Sequence, residues 1–395
     1  MPKLNLLYIS LNPIQNVKPY RLLEQNGAIN LMVAYLEKPD ASNFPGKENI
    51  NKSAFDNDLL SGYNHAFIPN KQRLGKTKAF FNYGSTAIWQ YVKKADIVVI
   101  YGHNFLTYWI AMAAAKFYGT KIILTTDATY IEANDESGGW KMKLKPFILK
   151  FLYNSWACAV FVPSTASKLF LIAQGIKEKN IVVTPYVVDE DLIEQIATNT
   201  DIASLRHHLN IPITDTVFVF CAKFIDRKRP LDAIEAFAKI NNKNASLIMI
   251  GAGPLLQQLQ QRTNELGLET KIIFPGIVKY SELASYYTGS DVLVFCSDHE
   301  PYGLPVNEAM ICGIPVIVSD RIGARLDLVD EGITGWIYPS ANVESLAATM
   351  QKAIDTKDNL LQMGKAAQEK MTHWNSSENV NRQLDFFKLK GWMPN

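Results

Sequence analysis

The sequence predicts an α/β protein whose parallel β-sheets are covered by helices on both faces. From about Thr216 onward, short runs that are apolar throughout alternate with amphipathic stretches; the runs are TVFVFCA, SLIMIG, KIIFPG, VLVFC and PVIVSD. Strands buried on both faces are typical of parallel sheets. The chain has 395 residues, 48% of them hydrophobic, whereas single cores stop growing at roughly 250 to 300 residues. Two domains are therefore expected.

The stretches between these runs have helical periodicity. After Pro230, the apolar residues Leu231, Ile234 and Phe237 fall on one helical face. The first half repeats the pattern more loosely, which predicts a second α/β domain; its strand-like runs are LNLLYIS, DIVVIYG, KIILTTD, CAVFVPS and IVVTPY.

Residues 188–200 are polar, acidic and free of strand character, so we place the hinge near residues 190–200. Residues 39–80 show no clear period and are expected to be loop with some helix. The predicted domains are an N-terminal α/β domain at 1–195 and a C-terminal α/β domain at 196–375, followed by a C-terminal helix at 376–395.

Charge and cysteine usage exclude several classes of protein. Forty Lys and Arg face 38 Asp and Glu, so no global field indicates a nucleic-acid partner. The apolar stretch at the N-terminus is too short for a signal peptide, and no run reaches the ~18 apolar residues of a membrane helix. We expect a soluble, cytoplasmic protein. Four scattered cysteines favour reduced, mostly buried thiols; they are Cys158, Cys221, Cys296 and Cys312.

The most informative segment spans residues 297–320, SDHEPYGLPVNEAMICGIPVIVSD. Pro is tolerated in a first helical turn, so Glu300 is expected in the loop after a strand and Glu308 in the first turns of the next helix. A helix N-terminus there suits a phosphate. Its amides are those of Tyr302, Gly303 and Leu304.

A second segment, FVFCAKFIDRKRP, places Lys223 at a strand end and Lys228 in the following loop. Two cations flanking a strand-to-helix turn can reach a diphosphate. Only some of the four cations in KFIDRKR can face a cleft, and Arg227 and Arg229 are expected to face solvent. The alternative is an ordinary basic loop. Gly251 lies in a third strand-to-helix turn, LIMIGAGP, which alone is a weak signal because it lacks the full GxGxxG pattern.

Two titratable residues end strands in the first half. His103 follows VVIYG and Asp127 ends LTTD. Each could accept a proton or bind hydroxyls of a ligand at a cleft, but a hydrogen-bonded structural His and a helix-capping Asp are equally consistent with the sequence. No metal site is expected, since the triplet Asp56, Asn57, Asp58 follows no apolar strand and indicates a loop.

Residues 140–156 combine lysines at 141, 143, 145 and 150 with aromatic side chains. Such a basic amphipathic segment can lie on an anionic membrane surface, on the inner face of the cell membrane. The alternative, which we favour slightly, is a helix that packs its apolar face inward.

These motifs bring a family into view. The C-terminal half resembles the retaining glycosyltransferases of family 4 (glycosyl transferases group 1), which have the GT-B fold. The likeness rests on EPYGLPVNE, AMICGIPVIVSD and EGITGWIYP, with FCAKFIDRK and IMIGAGP upstream in the same order, over about residues 160–345. It implies two Rossmann-like domains facing across a cleft, with acceptor binding at 1–195 and nucleotide-sugar binding at 196–375. It also implies that the helix at 376–395 packs on the N-terminal domain.

The resemblance also implies roles. Glu308 would bind the nucleotide ribose, Glu300 would address hydroxyls of the donor sugar, and Lys223 and Lys228 would neutralise the diphosphate together with amides near Gly303. The remaining donor-binding candidates are Tyr302, Leu304, Gly251 and Val278, the last near the base.

The sequence departs from the family in several places. Lys223 stands where Arg is usual, so a point charge replaces a planar fork. Asp127 stands where the family has His, which leaves Asp127 and His103 as the two candidates for the acceptor-side group. Asp327 replaces a Glu, and the loop at 10–16 lacks a glycine-rich turn. The sequence PYVVD at residues 185–189 replaces the usual PNGVD.

The function implied is transfer of a sugar, of hexosyl type, from a UDP- or GDP-sugar to an acceptor hydroxyl with retention, without a metal or cofactor. The acceptor would be a lipid-linked sugar, a polysaccharide or another glycan precursor. No second carboxylate is placed as a nucleophile, which favours front-face displacement over a covalent intermediate. The alternatives are a phosphorylase or nucleotide-sugar epimerase on the same architecture, and a non-catalytic nucleotide-sugar-binding or assembly protein. A phosphorylase normally carries a pyridoxal-binding Lys late in a longer chain.

Overall fold

The computed structural model describes residues 3–13, 17–38, 58–69, 83–129, 149–240 and 244–393. These divide into two compact units. Unit 1 takes its described residues from Met1–Asp40, Asp58–Val187 and Ser376–Asn395, and unit 2 from Val188–Asn375.

The described residues of unit 1 form a seven-stranded parallel sheet in the order β3-β2-β1-β4-β5-β6-β7. Its strands are β1 (Leu4–Ser10), β2 (Ile29–Tyr35), β3 (His65–Phe67), β4 (Ile97–Tyr101), β5 (Lys121–Thr125), β6 (Ala159–Val162) and β7 (Ile181–Val183). Its helices are α1 (Val17–Gln25), α2 (Ile88–Val92), α3 (Leu106–Tyr118), α4 (Thr165–Ala173) and, from the end of the chain, α14 (Ser376–Leu389).

Side chains alternate between the two faces of the sheet of unit 1, and each face is buried in its own hydrophobic core. In β1, Leu7 and Ile9 pack into one core, while Leu6 and Tyr8 pack into the other. Helix α14 covers this second face, where Phe387 stacks on Phe161 with ring centroids 6.3 Å apart. The C-terminal helix is thus part of the core of unit 1.

The described residues of unit 2 form a six-stranded parallel sheet in the order β10-β9-β8-β11-β12-β13. Its strands are β8 (Thr216–Cys221), β9 (Ala245–Ile250), β10 (Ile272–Gly276), β11 (Val292–Phe295), β12 (Val316–Ser319) and β13 (Gly335–Tyr338). Its helices are α5 (Glu190–Asn199), α6 (Ile202–His208), α7 (Pro230–Lys239), α8 (Leu256–Glu265), α9 (Tyr280–Thr288), α10 (Leu304–Ile311), α11 (Arg325–Leu328), α12 (Val343–Asp355) and α13 (Lys357–Thr372).

Each sheet has a point at which the strand order reverses. In unit 1 it lies between β1 and β4, and in unit 2 between β8 and β11. Connections leave these neighbouring strands toward opposite faces, which opens a crevice beyond their carboxyl ends where ligands of α/β proteins bind. The topology therefore predicts one candidate site in each unit.

The predicted α/β class with two parallel sheets is confirmed. Strands β2, β3 and β13 were missing from the sequence prediction. The hinge predicted at 190–200 is instead helix α5, whose N-terminus is capped by the Asp189 side chain accepting from the Leu192 amide. The contacts divide the chain after Val187 rather than after residue 195, because α5 packs against α9 of unit 2.

The four cysteines are free, as predicted, but the expectation that they are mostly buried was wrong: Cys296 is buried, Cys221 and Cys312 are partly buried, and Cys158 is exposed. Within the part of the chain that the structure describes, no helix has the length and apolar character needed to cross a membrane.

Candidate functional site

The loops that follow β8 and β11 meet at the reversal point of unit 2. The first loop carries Lys223 and a 3₁₀ turn at Asp226–Lys228, and the second carries Glu300. Arg227 joins the two loops, since its Nη1 donates to the His299 carbonyl at 2.7 Å and its own carbonyl accepts from the Asp298 amide at 3.0 Å. The candidate residues are held on a cross-linked pair of loops.

Lys228 and Glu300 form an ion pair between Nζ and Oε2, with side chains only 13% and 15% exposed. The ammonium also lies 5.2 Å from the centroid of the Phe295 ring. Burial lowers the pKa of Lys228, and the Glu300 charge opposes that effect. The structure thus brings a partly desolvated cation and a carboxylate together at the carboxyl end of the sheet.

The backbone of Glu300 is fixed from the neighbouring strand. Its amide donates to the Arg321 carbonyl at 3.2 Å, and its carbonyl accepts from the Gly323 amide at 3.0 Å. These two bonds form an isolated bridge beyond the ends of β11 and β12. The Glu300 side chain is therefore presented from a rigid position rather than from a free loop.

The other cations of this loop differ in environment. Lys223 lies two residues beyond the end of β8 and is exposed. Arg229, predicted to face solvent, instead pairs with Asp232 in a bidentate contact of 2.6 and 3.1 Å at the start of α7. The expectation for Arg229 was wrong because that side chain serves the helix terminus.

Helix α10 begins at Leu304, directly after Gly303, which has φ +111°. A Cβ at Gly303 would lie 3.0 Å from both Ile322 Cγ2 and Phe295 Cε1, so the turn is closed to other residues. The Tyr302 phenol points away into the core, where it accepts from Trp374 Nε1 at 2.6 Å. What this segment offers a ligand is therefore the backbone N–H groups of a helix N-terminus.

Glu308 lies one turn into α10 and is buried, with 8% of its surface exposed. Tyr287 of α9, which is fully buried, donates from its hydroxyl to Glu308 Oε2 at 2.9 Å. Burial raises the pKa of Glu308 to about 7, and the Tyr287 hydrogen bond partly opposes that rise. A carboxyl group whose pKa is raised to near 7 by its surroundings is a feature of functional sites.

Tyr287 was not identified from the sequence. The stretch SELASYYTG has a helical apolar pattern that places Tyr287 on the buried face, and the same pattern is typical of an ordinary core aromatic. Only the proximity of Tyr287 to Glu308 in the folded chain distinguishes it from an ordinary core aromatic residue.

Gly251 and Val278 lie on the adjacent loops after β9 and β10. The Gly251 amide donates to the Gly276 carbonyl at 2.9 Å, which joins these loops. A Cβ on Gly251 would come within 2.0 Å of the Ala222 carbonyl, so the glycine permits close approach of the β8 and β9 loops. Val278 is half-buried two residues beyond β10.

The second candidate site is a cavity of about 250 Å³ formed entirely by unit 1. It lies at the carboxyl ends of the strands that flank the β1/β4 reversal point. His103 and Asp127, predicted separately, both line it. The His103 carbonyl accepts from Trp109 Nε1 at 2.9 Å, and the Asp127 carbonyl accepts from the Ser167 hydroxyl at 3.2 Å.

Among the described residues, no group of three or more His, Cys, Asp or Glu side chains is arranged to hold a metal ion. Asp56 and Asn57 lie outside the described residues, and Asp58 caps a turn by accepting from the Leu60 and Ser61 amides. Most of the basic segment 140–156, including its lysines at 141, 143 and 145, also lies outside them.

Two family models match this chain. The model described as glycosyl transferases group 1 matches residues 201–370, and the model described as glycosyltransferase family 4 matches residues 51–192. Together they cover more than half of the chain, and each falls mainly on one of the two units.

Curated relatives are distant. N-acetyl-alpha-D-glucosaminyl L-malate synthase of Bacillus anthracis is 26% identical over 49% of this chain and 50% of that enzyme, so the chain spans about half the length of this relative. A GDP-mannose-dependent alpha-(1-6)-phosphatidylinositol monomannoside mannosyltransferase of Mycobacterium tuberculosis is 24% identical over 72% of this chain and 76% of that enzyme.

Solved structures extend the comparison to the whole chain. Anabaena HepE, crystallised in complex with UDP, superposes with a TM-score of 0.75 at 17% identity over 98% of this chain and 99% of that one. Likeness at this identity establishes the fold alone, and it confirms the predicted GT-B architecture.

Proposed function

The chain belongs to the glycosyl transferases of group 1 and family 4, and from this premise we propose that it moves a sugar from a nucleotide diphosphate sugar to an acceptor hydroxyl with retention. The observation that carries the proposal is the grouping in unit 2 of the Lys228–Glu300 ion pair, the N-terminus of α10 and the buried Glu308. UDP- and GDP-sugars are the donors proposed, since HepE is in complex with UDP and the mycobacterial relative is GDP-mannose-dependent.

The diphosphate is assigned to Lys223, Lys228 and the amides of α10 at Gly303 and Leu304. Opposite charge at a helix N-terminus is favourable, and the interaction is strengthened where water is excluded. Lys228 supports this role because its ammonium is already partly desolvated in the free protein. The Lys228 ammonium therefore loses little further hydration when the diphosphate binds.

The nucleotide ribose is assigned to Glu308. With Oε2 occupied by Tyr287, the second oxygen remains to accept from ribose hydroxyls. A carboxylate that accepts such bonds is stabilised in its charged form, so nucleotide binding should draw the Glu308 pKa down from about 7.

Glu300 is assigned to the hydroxyls of the donor sugar. In the free protein its carboxylate pairs with Lys228. When the diphosphate binds, Lys228 gains a second anionic partner. The Glu300 carboxylate can then accept hydrogen bonds from the sugar hydroxyls as well. The pair thus couples recognition of the two halves of the donor.

The leaving diphosphate gains negative charge as the glycosidic bond breaks. Lys223, Lys228 and the α10 amides would stabilise that charge in the transition state, which is where such groups accelerate a reaction. His103 and Asp127, on the cavity of unit 1, are the proposed acceptor-side groups. Retention by front-face displacement and independence of added metal are the finer parts of this proposal.

A contact with an anionic membrane through residues 140–156 is a separate proposal that rests on sequence alone. Sedimentation with anionic vesicles at low and high salt tests it. Loss of binding when Lys141, Lys143 and Lys145 are changed to Gln supports it, whereas a wild type that stays in the supernatant at low salt contradicts it.

The function is tested by incubating the full chain with UDP- and GDP-sugars and measuring release of the nucleoside diphosphate, with and without EDTA. We expect turnover of one donor in both conditions, and a product whose anomeric configuration by NMR matches that of the donor. No turnover of any donor with any glycan acceptor contradicts the activity, abolition by EDTA contradicts metal independence, and an inverted anomer contradicts retention.

A further inference from the structure

Helix α14 contributes a wall to the cavity of unit 1. Asn379 and Gln383, one turn apart on this helix, line the cavity and are each 4% exposed. Gln383 is hydrogen-bonded to Tyr8, which belongs to β1 at the reversal point. Residues 375 positions apart in sequence therefore meet at one binding surface.

A chain of hydrogen bonds fixes these amides. The Tyr8 hydroxyl donates to Gln383 Oε1, Gln383 Nε2 donates to Asn379 Oδ1 at 2.7 Å, and Asn379 Nδ2 donates to the Pro185 carbonyl at 2.7 Å. This order sets which end of each amide is the donor. Each amide nitrogen carries a second N–H, so each can still donate one hydrogen bond.

None of the described residues that line the cavity is Lys or Arg, and among them only His103 can take up a proton to become a cation. Burial raises the pKa of Tyr101 to about 12 and raises those of Tyr8 and Tyr20 well above their usual value, so these phenols stay neutral. Asp127 adds a carboxylate. A phosphate or carboxylate group entering here would lose hydration, and among the described lining residues it would find one imidazole beside the Asp127 carboxylate in place of a Lys or Arg.

The size and lining of the cavity define its ligand further. About 250 Å³ lies just below the roughly 300 to 1,000 Å³ of ordinary small-molecule sites, which suits one sugar ring better than a lipid or an oligosaccharide. Phenol and threonine hydroxyls provide both donors and acceptors, and the aromatic rings of Tyr20 and Phe161 provide apolar surface. Polyhydroxylated rings need this combination.

We propose that this cavity binds the acceptor as an uncharged sugar, and that Asn379 and Gln383 of α14 donate hydrogen bonds to its hydroxyls. Its role as the acceptor site rests on the proposed function, whereas binding of a neutral sugar does not. Asn379 and Gln383 are then specificity-determining residues supplied by the last helix of the chain.

The test is ligand-observed NMR on the full chain without donor. The probes are methyl glycosides of glucose, galactose, mannose and N-acetylglucosamine, with glucose 6-phosphate and methyl glucuronide as anionic counterparts. We expect at least one neutral glycoside to bind, and its anionic counterpart to bind at least tenfold more weakly. No binding by any glycoside, or equal binding of the anionic probes, overturns the proposal.

Variants locate the site. Gln383→Leu and the isosteric Thr184→Val, which removes a hydroxyl from the cavity lining, should each weaken glycoside binding at least fivefold. The control is Asn381→Leu, an exposed position on the same helix, which should leave binding unchanged. If Gln383→Leu fails to fold, Thr184→Val decides. Unchanged binding in the variants, or an equal loss in the control, overturns the assignment.

A separate titration with UDP and GDP distinguishes this proposal from the proposed function. Glycoside binding without nucleotide binding would refute the function and leave the neutral-sugar site standing. Nucleotide binding without glycoside binding would refute the site and leave the function standing.

Discussion

The Tyr287 hydroxyl donates a 2.9 Å hydrogen bond to Oε2 of Glu308, and both side chains are buried between α9 and α10. The bond holds the carboxylate in one orientation and opposes the effect of burial on its pKa. Tyr287 is therefore a positioning residue for the proposed ribose contact.

Tyr287→Phe removes that bond and leaves one carboxylate oxygen without its donor. The bond is already made in the free protein, so its loss acts on binding because the carboxylate is no longer held in one orientation, and we expect nucleotide affinity to fall severalfold. The pKa of Glu308 should also rise, which moves the pH at which affinity is lost upward. Calorimetric titrations of UDP and GDP between pH 6 and 9 measure both effects. Tyr286→Phe, on the half-buried neighbour, is the control, and an unchanged pH profile in Tyr287→Phe would contradict the role.

The buried Glu308 carboxyl should make unit 2 less stable as pH rises. Its folded-state pKa of about 7 lies above its ordinary value of 4.5, so between these values the folded protein keeps a proton that the unfolded chain has lost. Stability then falls with rising pH through this window. Glu308→Gln lacks this dependence. Its free energy of unfolding should therefore gain on that of the wild type by about 1.4 kcal/mol for each pH unit of rise, up to about 3 kcal/mol in total.

Melting temperatures of the ligand-free proteins at pH 5 and 8 test this prediction. Glu308→Gln should gain several degrees relative to the wild type at pH 8 and little at pH 5. The exposed Glu282→Gln is the matched control. A melting difference that does not change with pH would mean that Glu308 is ionised freely in the folded state.

Lys223→Ala and Lys228→Ala should depress turnover more than donor affinity, because their charges act on the leaving diphosphate in the transition state. We expect at least a tenfold loss in kcat for Lys228→Ala, which also leaves Glu300 without its ion-pair partner. The control is Lys239→Ala, whose ammonium pairs with Glu344 at 2.7 Å on the surface of α7. Full turnover of both variants at saturating donor would show that the basic pair is misassigned.

Gly303→Ala should weaken nucleotide binding by displacing the N-terminus of α10, since the added Cβ meets Ile322 and Phe295 at 3.0 Å. Gly267→Ala is the control, because it has φ +65° but no atom within 4 Å of the new Cβ. Both changes carry left-handed strain of about 1 to 2 kcal/mol. Only Gly303→Ala should lower affinity for UDP and GDP, and a change below twofold would contradict the phosphate role of this turn.

The sequence predicted the central strands because they are apolar throughout. Strands β4 and β11 are buried on nearly every residue, and their short length favours a strand over a buried helix. Strand β3 has only three residues, all half-buried, and the exposed Asn30 interrupts β2, so neither produced a recognisable period. The polar segment at 190–200 looked like a linker because the apolar face of α5 is narrow.

For the candidate sites, the positions of Glu300 and Glu308 followed from local rules, since Gly303 and Pro305 determine where α10 begins. Contacts between distant segments could not be predicted in this way. No local sequence pattern predicts the Tyr287–Glu308 bond or the Tyr8–Gln383 bond, because each depends on which helices and strands the folded sheets bring together.

The most direct test of the account is the affinity of Glu308→Gln for UDP and GDP, measured by calorimetry beside the wild type and Glu282→Gln. If Glu308 accepts from the ribose hydroxyls, the variant should bind the preferred nucleotide about 10- to 100-fold more weakly, the equivalent of roughly 1.5 to 3 kcal/mol, while Glu282→Gln binds as the wild type does. Unchanged affinity in Glu308→Gln would contradict the nucleotide site proposed for unit 2.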